Sequence, residues 1–220
     1  MGSGASRTRG PKTPQSISGS TLGNVLKREG FRVDPDGMAF IKHVLTHKTR
    51  GWIGRAIWMQ ESSTLQHEYL LISVFFLNEK LPPSWIRIER MGDLEGTRSQ
   101  EEKDKAELIF HIAPQREQLT FRRDVVIADV VPDTAPTLRD LANLLQIIQT
   151  TSPVYSLLQY NCWFFAREVF HNLVSSYLVE GVRKRKLIEL CESKRRKHED
   201  ALWRSPWRGQ VFTGLVMVVA

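Results

Sequence analysis

Residues 67–77, HEYLLISVFFL, and 85–90, WIRIER, are two strand-like runs separated by the short turn NEKLPPS. The first is dense in β-branched and aromatic side chains. The second alternates, with Ile86 and Ile88 pointing one way and Trp85, Arg87 and Glu89 the other. A link this short, holding two prolines, cannot make the crossover that parallel strands require, so the runs must pair antiparallel. Any fold for this chain has to contain that pair.

Around it the same patterning predicts more strands at GWIGRAIWMQ (51–60), AELIFHI (106–112) and DVVIADVV (124–131), with a charged loop over 92–105. Helical spacing predicts a short helix over 36–47, and a longer one over 137–149 with Thr137 as its cap. A further helix runs from the cysteine segment to about Tyr177, and a basic helix covers 182–203. Strands followed by helices give an α+β class, with a mostly antiparallel sheet packed against helices.

The formal net charge of +7 is unevenly placed. Residues 1–30 carry five Lys/Arg against one Glu, and residues 181–208 carry ten against four acids. The stretch between, 31–180, is slightly acidic, with sixteen against nineteen. A nucleic-acid-binding core would carry the basic face itself, so that reading applies to the flanks alone.

Three regions follow. Residues 1–20 are Gly/Ser/Pro-rich and basic, and are expected to be a disordered tail. Their start fits Met-Gly-x-x-x-Ser, with Gly2 and Ser6 in the N-myristoylation positions. Residues 21–180 form the main domain. Residues 181–220 comprise the basic helix and an apolar end, VFTGLVMVVA, that reads as a final strand or a truncated anchor. No apolar run approaches the roughly 20 residues of a membrane-spanning helix. The start lacks a secretory pattern, and two cysteines do not make a disulfide framework. An intracellular, cytoplasmic location is expected, with peripheral membrane or nuclear association open through the basic flanks.

One of the two cysteines, Cys162, lies in YSLLQYNCWFFAREVFHNL (155–173). If Asn161 caps a helix, Cys162 is its first residue, where unpaired backbone amides and the helix dipole favour a thiolate. Trp163, Phe164, Phe165 and Ala166 bring no opposing charge. Ser152–Pro153 is a competing start, which would place Cys162 in mid-helix. Cys162 also shares a stripe with Ala166, Val169, Phe170, Leu173 and Tyr177, so composition and spacing alone favour core packing. Cys191 reads only as a core residue.

The run Tyr155-x-Leu157-x-x-x-Asn161-Cys162-x-x-Phe165 resembles the nucleophile motif of the lecithin:retinol acyltransferase (LRAT) family, roughly Tyr-x-Leu-x-x-x-Asn-Cys-Glu-His-Phe. Trp163-Phe164 stand where that family has Glu-His. The resemblance implies a circularly permuted papain-like fold, with a histidine on an early strand, a polar residue on the next, and the cysteine at the start of a helix in the C-terminal half. His67, Glu89 and Cys162 occur in that order, and Glu89 is assigned by position alone. The implied activity is that of a cysteine-dependent hydrolase or acyltransferase. It would act on a peptide amide, isopeptide or lipid acyl ester through a thioester, with no cofactor or metal.

The remaining histidines carry less. His43 and His47 are four apart but lack the glutamate and third ligand of a zinc site, and read as surface. His111 falls in mid-strand, His171 in mid-helix and His198 in a charge run. A second function stays open: a non-catalytic module of the same fold whose basic flanks bind anionic membrane or nucleic acid.

Overall fold

The computed structural model describes residues 41, 42, 44, 45, 51–62, 66–76, 84–92, 106–154 and 161–204. The N-terminal tail with Gly2, His43 and His47, most of the 92–105 loop, Tyr155, Leu157 and the segment VFTGLVMVVA lie outside these residues.

Five strands form one antiparallel sheet: β1 (Gly51–Gln60), β2 (Glu68–Phe76), β3 (Ser84–Met91), β4 (Glu107–Ala113) and β5 (Val125–Val130). Its spatial order is β4-β3-β2-β1-β5, so β1 to β4 meander and β5 returns along the free edge of β1. The expected pair is present, with Leu70 opposite Ile88 and Ile72 opposite Ile86. On the other side of β2, β1 pairs from Gly51↔Phe76 to Gln60↔Glu68. That register turns the chain back just before the sheet begins again at Glu68. Gln66 adopts a left-handed φ of 46° in this turn, immediately before His67.

Alternation sends the two faces of the sheet to different environments. Leu70, Ile72, Ile86, Ile88, Leu108, Phe110 and Ile112 join the main core. Tyr69, Leu71, Ile57, Met59 and Ala113 form a second cluster on the opposite face, with Leu119 from the connection to β5. Arg87, Glu89 and His111 fall on this second face, because they alternate with the core isoleucines and phenylalanine.

Three helices complete the α+β architecture: α1 (Leu138–Thr151), α2 (Cys162–Tyr177) and α3 (Val182–Arg204). Thr137 caps α1 in a capping box with Asp140, as its position predicts. Leu141, Leu145, Phe165, Val169 and Phe170 bury their faces of α1 and α2 in the main core, where Phe170 packs on Trp58 at 5.9 Å. Burial of such side chains is worth roughly 1.5–3 kcal/mol each. Buried Arg90 ties β3 to the end of α1, donating to the carbonyls of Ser152 and Val154. The basic helix α3 is not wholly solvated. Cys191 is fully buried, Leu187, Ile188 and Leu190 pack against the core, and the helix lies along α2.

Candidate functional site

Helix α2 begins at Cys162, and Asn161 caps it: the Asn161 side chain accepts from the Phe164 amide at 3.2 Å, and its carbonyl from the Phe165 amide at 3.1 Å. Of the competing starts for this helix, the Asn161 cap is therefore the one present. No acidic residue lies in the first turn. The stripe that raised the core alternative divides along its length. Ala166, Val169, Phe170 and Leu173 are buried, but Cys162, one turn nearer the end, is only half-buried.

His67 stands just ahead of β2, where the β1–β2 register delivers it to the end of the sheet beside the first turn of α2. Its Nε2 lies 2.8 Å from Glu89 Oε2, and Cys162 is near enough to the ring to favour its charged form. With Nε2 committed to the carboxylate, Nδ1 is the nitrogen left for sulfur. His67, Glu89 and Cys162, far apart in sequence, thus come together through one imidazole. Burial works against charge on His67, whose side chain is 14% exposed. The interactions with Cys162 and Glu89 more than offset it and hold the imidazole pKa up at about 10.

Glu89 is a hub, which the sequence order alone did not reveal. Its Oε1 accepts from His111 Nε2 at 3.0 Å and from Arg87 Nε at 3.1 Å, while Oε2 accepts from Arg87 Nη2 at 2.9 Å and from His67. Burial favours the neutral acid, but these donors prevail and hold the carboxyl well below the ordinary carboxylate range. Arg87 also donates to Glu61 and to the Leu119 carbonyl, and its guanidinium carbon lies over the Tyr69 ring, 3.7 Å from the centroid. Tyr69 in turn donates to Asp124 at 2.6 Å. His111, expected only as a mid-strand residue, is brought in by register: it sits directly opposite Arg87, two residues along β4 from Ile109, which faces Glu89. No sequence motif marked it. The signal that could have found it was the same-face alternation of Arg87, Glu89 and His111 on adjoining strands.

Glu61, His67 and Glu89 offer ligand atoms within 4.8 Å of one another. The Arg87 guanidinium pairs with both carboxylates, so a metal ion would have to displace a positive charge already in place. The arrangement therefore suits an oriented imidazole next to a thiol better than a cation site.

His171 lies on α2 and His198 on α3, and neither is among Glu89's partners. Cys191 is fully buried and its thiol pKa is pushed up to about 12, chiefly by desolvation. No helix among the described residues is long and apolar enough to cross a membrane. Comparison of this chain with protein-family models, curated proteins and solved structures finds no match.

Proposed function

We propose that this protein is a thiol hydrolase or acyltransferase of the permuted papain-like kind, with Cys162 as nucleophile, His67 as general acid and base, and Glu89 orienting the imidazole. The observation that carries the reading is the His67 ring held 2.8 Å from Glu89, with Cys162 near that ring at the start of an Asn161-capped helix. A nucleophile, a base in contact with it and a polar group fixing the base are the parts that acyl transfer needs.

The Cys162 sulfur attacks a carbonyl carbon, forming an S–C bond, and the carbonyl electrons move to oxygen. Helix α2 commits the Phe164 and Phe165 amides to its cap and ladder. The amides of Cys162 and Trp163 are the remaining first-turn donors that could meet the oxyanion. Collapse breaks the bond to the amine or alcohol leaving group, which takes its proton from the His67 imidazolium. Water, an amine or an alcohol, deprotonated by His67, then attacks the thioester and releases Cys162. Amide, isopeptide and ester substrates all follow this path, and the acceptor decides between hydrolysis and transfer.

The test is alkylation of the native protein with iodoacetamide at pH 7, followed by peptide mapping. A free thiol of pKa near 8.5 is only about 3% ionised at pH 7, so pairing with an imidazolium can raise the reactive fraction by at most about 30-fold. Adduct should form at Cys162, and His67→Ala should slow it by a factor approaching that ceiling. A Cys162 rate indifferent to His67 would reject the assignment.

A second reading, a non-catalytic module that holds polyanions, is favoured by the outer surface of α3. Arg185, Lys186, Arg196, Lys197 and Arg204 are all exposed there. Binding to anionic vesicles or to nucleic acid that collapses with added salt, and is unaffected by Cys162→Ala, would support it over catalysis.

A further inference from the structure

Trp163, the residue after the thiol, faces an unexpected partner. Its indole stacks on the imidazole of His198 from α3, with ring centroids 4.1 Å apart and planes 9° from parallel. The same His198 places Nε2 3.9 Å from Glu68 Oε1, and Lys194, one turn earlier, places Nζ at 3.9 Å from that oxygen. Glu68 is fully buried and immediately follows His67. It is held from the sheet side as well, accepting from Trp58 Nε1 at 2.8 Å and Gln60 Nε2 at 3.4 Å.

The consequence is geometric. One edge of His198 reaches the strand that carries the imidazole, and its face lies on the helical turn that carries the sulfur. Helix α3 is itself anchored at Cys191, buried in the core about two turns before His198. The span from Cys191 to His198 therefore bridges the two elements whose separation sets the Cys162–His67 contact. A buried carboxylate on the core side of a sheet needs partners; Lys194 supplies positive charge, and the His198 ring lies at the same distance from the same oxygen.

We propose that His198 is a positioning residue for the thiol–imidazole pair, acting through Trp163 on the Cys162 turn and through Glu68 on the His67 strand. The inference rests on the proposed thiol chemistry and extends it to a helix outside the catalytic elements. His198 touches neither sulfur nor substrate carbonyl in this role; it fixes the distance across which His67 and Cys162 meet. Misplacement of reacting groups by about 1 Å can lower a rate on the order of 100-fold, so a clamp of this kind has leverage. The charged groups facing His198 are Glu68 from β2 and Lys194 from its own helix, with Arg167 of α2 beyond the Trp163 ring at 5.8 Å.

Iodoacetamide rates at Cys162, measured from pH 5 to pH 9 on the full chain, test this with four proteins: wild type, His67→Ala, His198→Ala and His198→Phe. A paired thiolate reacts well below the titration of a free thiol, giving a shoulder at low pH. His198→Ala should lose much of that shoulder and slow alkylation at pH 6 to 7 by about fivefold to tenfold, within the ceiling set by free-thiol ionisation. His198→Phe keeps a flat ring on Trp163 but offers nothing to Glu68, and should recover the share of the rate that the stacking carries. A structural loss alone would lower the melting temperature of both variants and leave the shape of the pH profile intact. Should His198→Ala fail to fold, His198→Gln against His198→Phe makes the same comparison. Wild-type behaviour in His198→Ala, with His67→Ala slow, overturns the positioning role and leaves the thiol reading standing. Equal slowing in the Ala and Phe variants overturns the stacking contact as the agent. A His67→Ala rate equal to wild type rejects the thiol reading and this inference with it.

Discussion

Glu89→Gln removes one charge while keeping the shape of the side chain, and the geometry says how much should be lost. Four N–H groups converge on this carboxylate between 2.8 and 3.1 Å, from His67, His111 and twice from Arg87. A glutamine offers one carbonyl oxygen, and its amide turns donors against donors on the other side. Deleting one partner of a buried ion pair costs about 3–5 kcal/mol. Arg87 keeps Glu61 and the Tyr69 ring, so the lower end, about 3 kcal/mol, is expected. With a urea slope of roughly 2 kcal/mol per molar, the unfolding midpoint at pH 6 should fall by about 1.5 M.

The pH dependence gives a second check on the same variant. His67 binds its proton more tightly in the folded chain, at about 10 against an ordinary 6.5. Its contribution is therefore complete below pH 6.5 and is lost as pH rises through about 10. Glu89 is shifted the other way, so its contribution is complete above its ordinary 4.5 and is lost as pH falls into strong acid. Both act together between about pH 4.5 and 6.5. The gap between wild type and Glu89→Gln should be widest in that window and narrow towards pH 10, where only the Arg87 share remains. Urea titrations at pH 6 and pH 10, followed by circular dichroism, measure both effects. A midpoint at pH 6 within about 0.3 M of wild type would show that the carboxylate is not what holds these donors together.

Two further outcomes follow from the ends and the middle of the helices. Asn161→Ala should destabilise the protein by about 1 kcal/mol through loss of the cap, measurable by the same urea titration, and should slow alkylation of Cys162. An unchanged midpoint would mean that the Phe164 amide finds another acceptor at no loss. In the native protein Cys191 should resist iodoacetamide at pH 8, since burial pushes its thiol up to about 12. Mass spectrometry should find one adduct per chain before unfolding and two after it; early labelling of Cys191 would contradict the packing of α3.

Much of the frame was legible because local patterning and global packing agree. Val, Ile and aromatic alternation marked the strands within a residue or two, and Thr137 announced the start of α1. The first-turn position of Cys162 was legible as one of two starts, and the Asn161 cap is the one present. What the sequence hid depends on register. Nothing local distinguishes His111 from an ordinary exposed strand residue, since its role arises only when β4 lies against β3 with His111 opposite Arg87. Glu68 was equally silent: nothing local marks a carboxylate at the start of an apolar strand as buried, yet it is fully buried, with Lys194 and His198 of α3 beside it. Cys191 read as a core residue and is one, but the basic composition of its helix gave no sign that Leu187, Ile188 and Leu190 pack against the core beside it.

These two kinds of hidden residue share a cause that bears on the chemistry. Each buried carboxylate beside His67 lies on a different face of the sheet, Glu89 with Arg87 and Glu68 with Lys194 and His198. The backbone at His67 is thus flanked by two charge-neutralised anchors, one bonding the ring directly and the other fixing the next residue in the strand. A lone histidine at the mouth of a strand would sample several rotamers, and ordering it against a thiol would cost conformational entropy. Anchoring from both faces removes that freedom in advance, which is the form of preorganisation that the proposed acyl transfer would reward. On this view the two carboxylates are not interchangeable. Glu68→Gln should leave the tautomer of His67 in place and loosen its position, whereas Glu89→Gln should leave its position and release the tautomer.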